Sequence, residues 1–123
     1  MATAMLHPKA LPEVLGEAVG TGVRAIVLIN RAGLQLGSAG DAQSAATISA
    51  IASSLWQSHE SSDEAGALGC LMVECEEGRL VVKAVSGYML ACCADPSVGF
   101  GLLKAKVEAL HTHLEPSLSQ ISA

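Results

Sequence analysis

The sequence predicts a three-layer α/β (α+β) domain: one five-stranded antiparallel sheet with helices on both faces, in the order α-β-β-α-β-β-β-α. Three observations predict it. Apolar runs of strand length, bounded by turn residues, fall at 23–30, 34–36, 68–75, 79–85 and 88–94. Apolar residues at helical spacing occupy the stretches before, between and after these runs. Half of the 123 residues are hydrophobic but only 2% are aromatic, so the core is built from Leu, Val, Ile, Ala and Met. Such side chains pack closely across flat helix and sheet surfaces rather than around deep pockets.

Residues 1–6 read as a flexible tail, 7–118 as one domain and 119–123 as a closing tail. His7-Pro8 opens the first helix, and Leu11, Val14, Leu15 and Ala18 follow at helical spacing. Pro12 would remove a hydrogen bond deep inside a helix, so the regular part begins near Leu11. Gly20-Thr21-Gly22 ends it. The run VRAIVLIN is apolar on both faces and reads as an interior strand. Asn30-Arg31-Ala32-Gly33 is turn chemistry, and Leu34-Gln35-Leu36 is a short edge strand beside Gly37 and Gly40.

Asp41 is a candidate N-cap for a long helix over 42–59. Ile48, Ile51, Ala52 and Leu55 form its apolar stripe. The rest of the helix is mostly Ala, Ser, Thr and Gln, with no charge from Ala42 to Ser58. A helix with one buried face normally carries charges on the other, so two partners are expected: the domain's own sheet and something else. The acidic stretch 57–66 reads as an exposed loop. Tight turns at Glu76-Glu77-Gly78 and Ser86-Gly87 make the last strands a meander. Asp95-Pro96-Ser97 offers a cap, and the final helix runs over 98–115 until Pro116 stops it. Leu103, Val107, Leu110 and Leu114 are its stripe, widened by Leu102 and Ala105. Lys104, Glu108, His111 and Glu115 form its solvent face.

The net charge of −5 comes with seven scattered basic residues, so no basic cluster is present to bind nucleic acid or an acidic membrane. No apolar run reaches the length of a membrane span. The first residues show no signal-peptide pattern, and Ala2 excludes N-myristoylation. Cys70, Cys75, Cys92 and Cys93 lie in strand-like segments as small buried hydrophobes, which predicts a reduced, cytoplasmic setting.

Little catalytic chemistry is visible. Cys92 and Cys93 point to opposite faces of a strand, with no neighbouring base in sequence. His111 and His113, two apart on a helix, do not share a face and make a poor metal pair. Gly99-Phe100-Gly101 lacks the Lys-Ser/Thr of a phosphate loop and reads as close backbone packing with Phe100 as anchor. No Gly-x-Ser-x-Gly elbow occurs. Glu74, Glu76 and Glu77 read as solvated hairpin charges. No catalytic, cofactor or metal site is expected, and the chain reads as a binding module rather than an enzyme.

The element order resembles the roadblock (dynein light-chain) superfamily. His7-Pro8-Lys9-Ala10-Leu11, Ala50-Ile51-Ala52-Ser53-Ser54-Leu55-Trp56, Glu77-Gly78-Arg79 and above all Val98-Gly99-Phe100-Gly101-Leu102-Leu103-Lys104-Ala105-Lys106 narrow it. They resemble the branch found as the second roadblock subunit of the Ragulator complex, a late endosomal/lysosomal adaptor and MAP-kinase and TOR activator. The resemblance covers residues 5–119; Pro12, the extension before Met5 and the acidic stretch 59–67 depart from it.

The resemblance implies a roadblock fold and a non-catalytic scaffold that forms a heterodimer with a second roadblock subunit. The pairing would use the long helix, here Ala45, Ala46, Ile48, Ser49, Ala52, Ser53, Leu55 and Trp56. It would also use the neighbouring strand, here Leu68, Cys70, Leu71, Met72 and Val73. It further implies a lipidated membrane-anchoring subunit, further roadblock subunits and Rag GTPases as partners in amino-acid sensing. The implied location is cytoplasmic, peripheral on late endosomes and lysosomes through a partner. The residues alone leave open a homodimeric roadblock domain serving a small GTPase or a dynein motor.

Overall fold

The computed structural model describes residues 11–17, 19–20, 22–60, 70–75, 78–85 and 87–122. Its elements are α1 (Leu11–Gly16), β1 (Val23–Ile29), β2 (Gln35–Gly40), α2 (Ala42–Glu60), β3 (Cys70–Cys75), β4 (Gly78–Val85), β5 (Tyr88–Ala94) and α3 (Phe100–Ser122). The expected order is the observed order. The expected tail at 1–6, the helix opening at His7-Pro8 and most of the acidic stretch lie outside the described residues.

The strands form one antiparallel sheet in the order β2-β1-β5-β4-β3. β1 is interior, and all of it but Arg24 is buried. α1 and α3 cover one face, closing a core of Leu15, Ile26, Leu28, Val81, Leu90, Leu103, Val107 and Leu114. α2 covers the other, over Ala25, Val27, Ile29, Leu80, Val82, Met89 and Ala91. Strand alternation sends Cys92 into the first core and Cys93 toward the second.

Several boundaries differ from expectation. α1 ends at Gly16, before the Gly20–Gly22 stop, because Gly16 is a poor helix former and Val19 turns back onto the core. β2 does not stop at Leu36 but runs through its glycines to Gly40. There φ is +95°, and a Cβ would lie 2.3 Å from the Arg24 carbonyl oxygen, so only glycine lets β2 close on β1 here.

α3 begins at Phe100, not Val98. The Asp95 carbonyl accepts the Val98 N–H at 3.0 Å, which closes a turn where the cap was expected. α3 also passes through Pro116 to Ser122, so the helix takes in most of the expected tail. The only bond proline removes is the one to Thr112, and both residues are exposed, so water can satisfy that carbonyl. Leu103, Val107, Leu110 and Leu114 are buried as expected, whereas Leu102 is 53% exposed and Ala105 is exposed.

Candidate protein–protein interface

α2 is placed by its first turn. The Asp41 carboxylate accepts the Ser44 N–H at 2.8 Å, as an N-cap should. The Ser44 backbone and hydroxyl together hold the Asp41 carboxyl below its ordinary value of 3.8. At the sheet end of the preceding hairpin, the Asn30 side chain accepts the N–H groups of Ala32 at 2.9 Å and Leu34 at 3.0 Å. That turn docks on α2, where the Ser53 hydroxyl donates to the Arg31 carbonyl at 3.1 Å.

The inner face of α2 is made of Ala45, Ile48, Ser49, Ala52, Ser53 and Trp56, all buried. These residues of the expected pairing set are therefore occupied by the chain's own fold. The buried serines are satisfied locally: Ser49 donates to the Ala45 carbonyl at 2.8 Å and accepts from Gln35 at 3.1 Å. The two flanks of the helix differ. Toward β2, an open trough is lined by small polar and Ala side chains, including Ala46, Ala50, Ser54 and Gln57. Toward β3 and β4 lie Thr47, Ile51 and the half-buried Leu55.

Ile51 was expected in the core stripe and is instead 43% exposed. The buried face of α2 runs from Ile48 through Ala52, Ala45, Trp56 and Ser49 to Ser53, so the helix is turned toward β2 relative to the expected stripe and Ile51 falls on its outer edge, on the β3 side.

The sheet explains why this flank is open. α2 packs on β1, β2 and β5. A helix is about 10 Å across, and strands lie about 4.8 Å apart, so one helix cannot roof five strands. The α2 core reaches β4 at Leu80 and Val82, but β3, the strand beyond it, has no described helix over it. Leu71 and Val73 of β3 point to this side and are half-buried. β3 is also a sheet edge, so among the described residues one row of its backbone groups has no strand beside it. Met72, on the same strand, is 49% exposed, and Cys70 packs toward the opposite core. Leu68 lies outside the described residues.

Between α2 and the β3–β4 hairpin a groove of about 320 Å³ remains. Ile48, Ile51, Val73, Leu80 and Cys93 supply its apolar lining, and Arg24, Asp41 and Arg79 are the charged groups beside them. Those charges already have partners within the chain. Arg24 Nε donates to Asp95 Oδ1 at 2.7 Å. Arg79 donates to Glu74 at 3.0 Å and to the Val98 carbonyl at 2.9 Å, and it stacks 4.6 Å above the Phe100 ring. Phe100 is thus an anchor as expected, but through Arg79. A Cβ at Gly99 or Gly101 would meet nothing within 4 Å, so close backbone packing does not explain those glycines.

Among the described residues the remaining chemistry-bearing side chains do not assemble. Burial pushes the Cys92 thiol up to about 12, with the neighbouring Cys93 adding to the effect. His111 pairs with Glu115 at 3.1 Å along α3. Among the described residues no group of three or more His, Cys, Asp or Glu could hold a metal ion. No described helix is long and apolar enough to cross a membrane.

The arrangement is thus an open sheet edge beside an uncharged helix flank. The Roadblock/LC7 domain model matches residues 14–95. The chain belongs to the Roadblock/LC7 family. A Caenorhabditis elegans relative described as a Ragulator complex protein LAMTOR2 homolog is 34% identical over 122 residues, spanning 96% of this chain and 97% of the relative.

Solved structures share the roadblock fold. A Roadblock/LC7 domain from Streptomyces avermitilis superposes with a TM-score of 0.75 at 23% identity, over 94% of this chain and 98% of that one. Myxococcus xanthus MglB gives 0.76 at 13% identity, over 98% and 93%.

Proposed function

We propose that this roadblock chain is a non-catalytic adaptor subunit of a Ragulator-like complex, pairing with a second roadblock subunit through β3 and the Ile51 flank of α2. One observation carries the reading: among the described residues, the large apolar side chains of α2 itself that stay partly uncovered, Ile51 and Leu55, lie on the side of β3, an edge strand with no described helix over it. A partner sheet added at β3 would satisfy the edge backbone groups, and its own helix would cover Ile51, Leu55, Leu71 and Val73. Obligate interfaces of this kind resemble a core cut in half and typically bury about 2,000 Å² or more.

The LAMTOR2-like relative supports the finer reading. On that reading the pair formed by this chain is wrapped by a lipidated subunit that holds it on the cytosolic face of late endosomes and lysosomes. There, with further roadblock subunits, it recruits Rag GTPases in support of TOR and MAP-kinase signalling. Scattered basic residues leave membrane attachment to a partner.

The test is co-purification with roadblock-domain chains of the same genome, followed by mass determination of the complex. Ile51→Asp and Leu71→Asp release the partner, because each buries an unpaired charge in the pair, whereas Lys104→Ala on α3 does not. A complex that survives both acidic substitutions counts against the reading. Stable self-association of the chain alone, with no hetero-pair formed, favours a homodimeric roadblock domain serving a small GTPase or motor.

A further inference from the structure

We propose that the groove between α2 and the β3–β4 hairpin seats a large apolar or aromatic side chain supplied by the second roadblock subunit, as the anchor of the pair. The inference rests on pairing through β3 and names what that pairing places in this groove.

Geometry supplies the first reason. Two like domains that join edge to edge with their helices on the same face are related by a two-fold perpendicular to the sheet, so the paired edge strands run antiparallel. The start of the partner's edge strand and the end of its long helix then lie beside the end of this β3. Val73, near that end, lines the groove. The groove is therefore continuous with the pairing surface and opens toward the partner's helix–strand connection.

Chemistry supplies the second. The apolar lining runs from buried Ile48 and Leu80 through half-buried Val73 and Cys93 to exposed Ile51. Arg24 and Arg79 are engaged with Asp95 and Glu74, and Asp41 caps α2. A charged occupant would compete with these pairs and be desolvated without compensation. An apolar occupant leaves every one of them intact. A volume of about 320 Å³ has room for a Leu, Met, Phe or Trp side chain. Desolvated pockets of this kind hold the few residues that dominate interface energetics.

Cys93 reports on the groove directly, because it is part of the lining. The free chain and the purified pair, made by co-expression with roadblock-domain chains of the same genome, are treated with iodoacetamide and mapped by peptide mass spectrometry. Cys93 is expected to react at least tenfold more slowly in the pair. In parallel, Thr47→Trp, which plugs the groove from α2 without adding charge, is expected to weaken pairing at least tenfold, while Thr112→Trp on α3 leaves it unchanged. An intact pair in which Cys93 reacts as fast as in the free chain, or a Thr47→Trp chain that pairs at full strength, overturns the anchor and leaves the pairing standing. A pair that survives Leu71→Asp, outside the groove lining, overturns the pairing and the anchor with it.

Discussion

α2 and α3 lie on opposite faces of one sheet and have opposite outer surfaces. α3 buries Leu103, Val107, Leu110 and Leu114 and turns Lys104, Glu108 and Glu115 to water. α2 buries Ala45, Ile48, Ala52 and Trp56 and turns Ala46, Thr47, Ala50, Ile51 and Ser54 outward, none of them charged. The inner faces do the same job, covering a sheet with apolar surface. Only the outer faces differ, charged on α3 and uncharged on α2. α3 shares its sheet face with α1, whereas α2 covers its face alone among the described helices.

Core substitutions should break the comparison at its finished end. Leu103→Ala empties a fully buried site under α3. It is expected to cost about 2–5 kcal/mol of folding stability, read by urea denaturation. The substitution acts on pairing only through folding, unlike Ile51→Asp, which leaves the isolated chain close to wild-type stability.

The approach to α2 is the next most sensitive point. Gly40→Ala puts a Cβ against the Arg24 carbonyl at a φ of +95°, for an expected loss of about 1–3 kcal/mol. In the first turn of the other helix the sign reverses. A Cβ at Gly101 meets nothing within 4 Å, so Gly101→Ala should raise stability by about 0.4–1 kcal/mol.

The smallest effect is electrostatic and belongs to the α2 cap. The Asp41 carboxyl is held below its ordinary value of 3.8 by Ser44. Its folded-state pKa therefore lies below the unfolded one, so the cap adds stability above 3.8 and loses it as pH falls through the folded value. Asp41→Asn keeps an acceptor for the Ser44 N–H and should flatten that acid limb of the stability profile, measured by denaturation across the acidic range.

Buried groups sharpen the same picture. Cys92 lies in the core under α3 with its thiol pushed up to about 12. It should resist alkylation in the native chain at neutral pH, while Cys93 on the α2 side reacts. Equal reactivity of the two neighbours would mean that the faces they occupy are not as different as the strand alternation makes them.

Much of this was legible in the residues. Period-two and period-3.6 patterning located every helix and strand, and β5 was read to the residue at Tyr88–Ala94. The missing charge from Ala42 to Ser58 marked α2 as the helix with an uncharged outer face, on which the proposed pairing rests. Helix ends were less legible, because they depend on backbone bonds such as Val98 to Asp95 that no side-chain pattern encodes.

Composition and spacing by themselves determined the fold class, the element order, the aliphatic core and an uncharged long helix. Only the tertiary structure decided which flank of that helix carries the exposed large apolar side chain. Ile48 and Ile51 are the same residue type a turn apart, and one is buried while the other is not. The difference comes from where a single helix sits over a sheet wider than itself, a relation between distant strands that local periodicity does not carry.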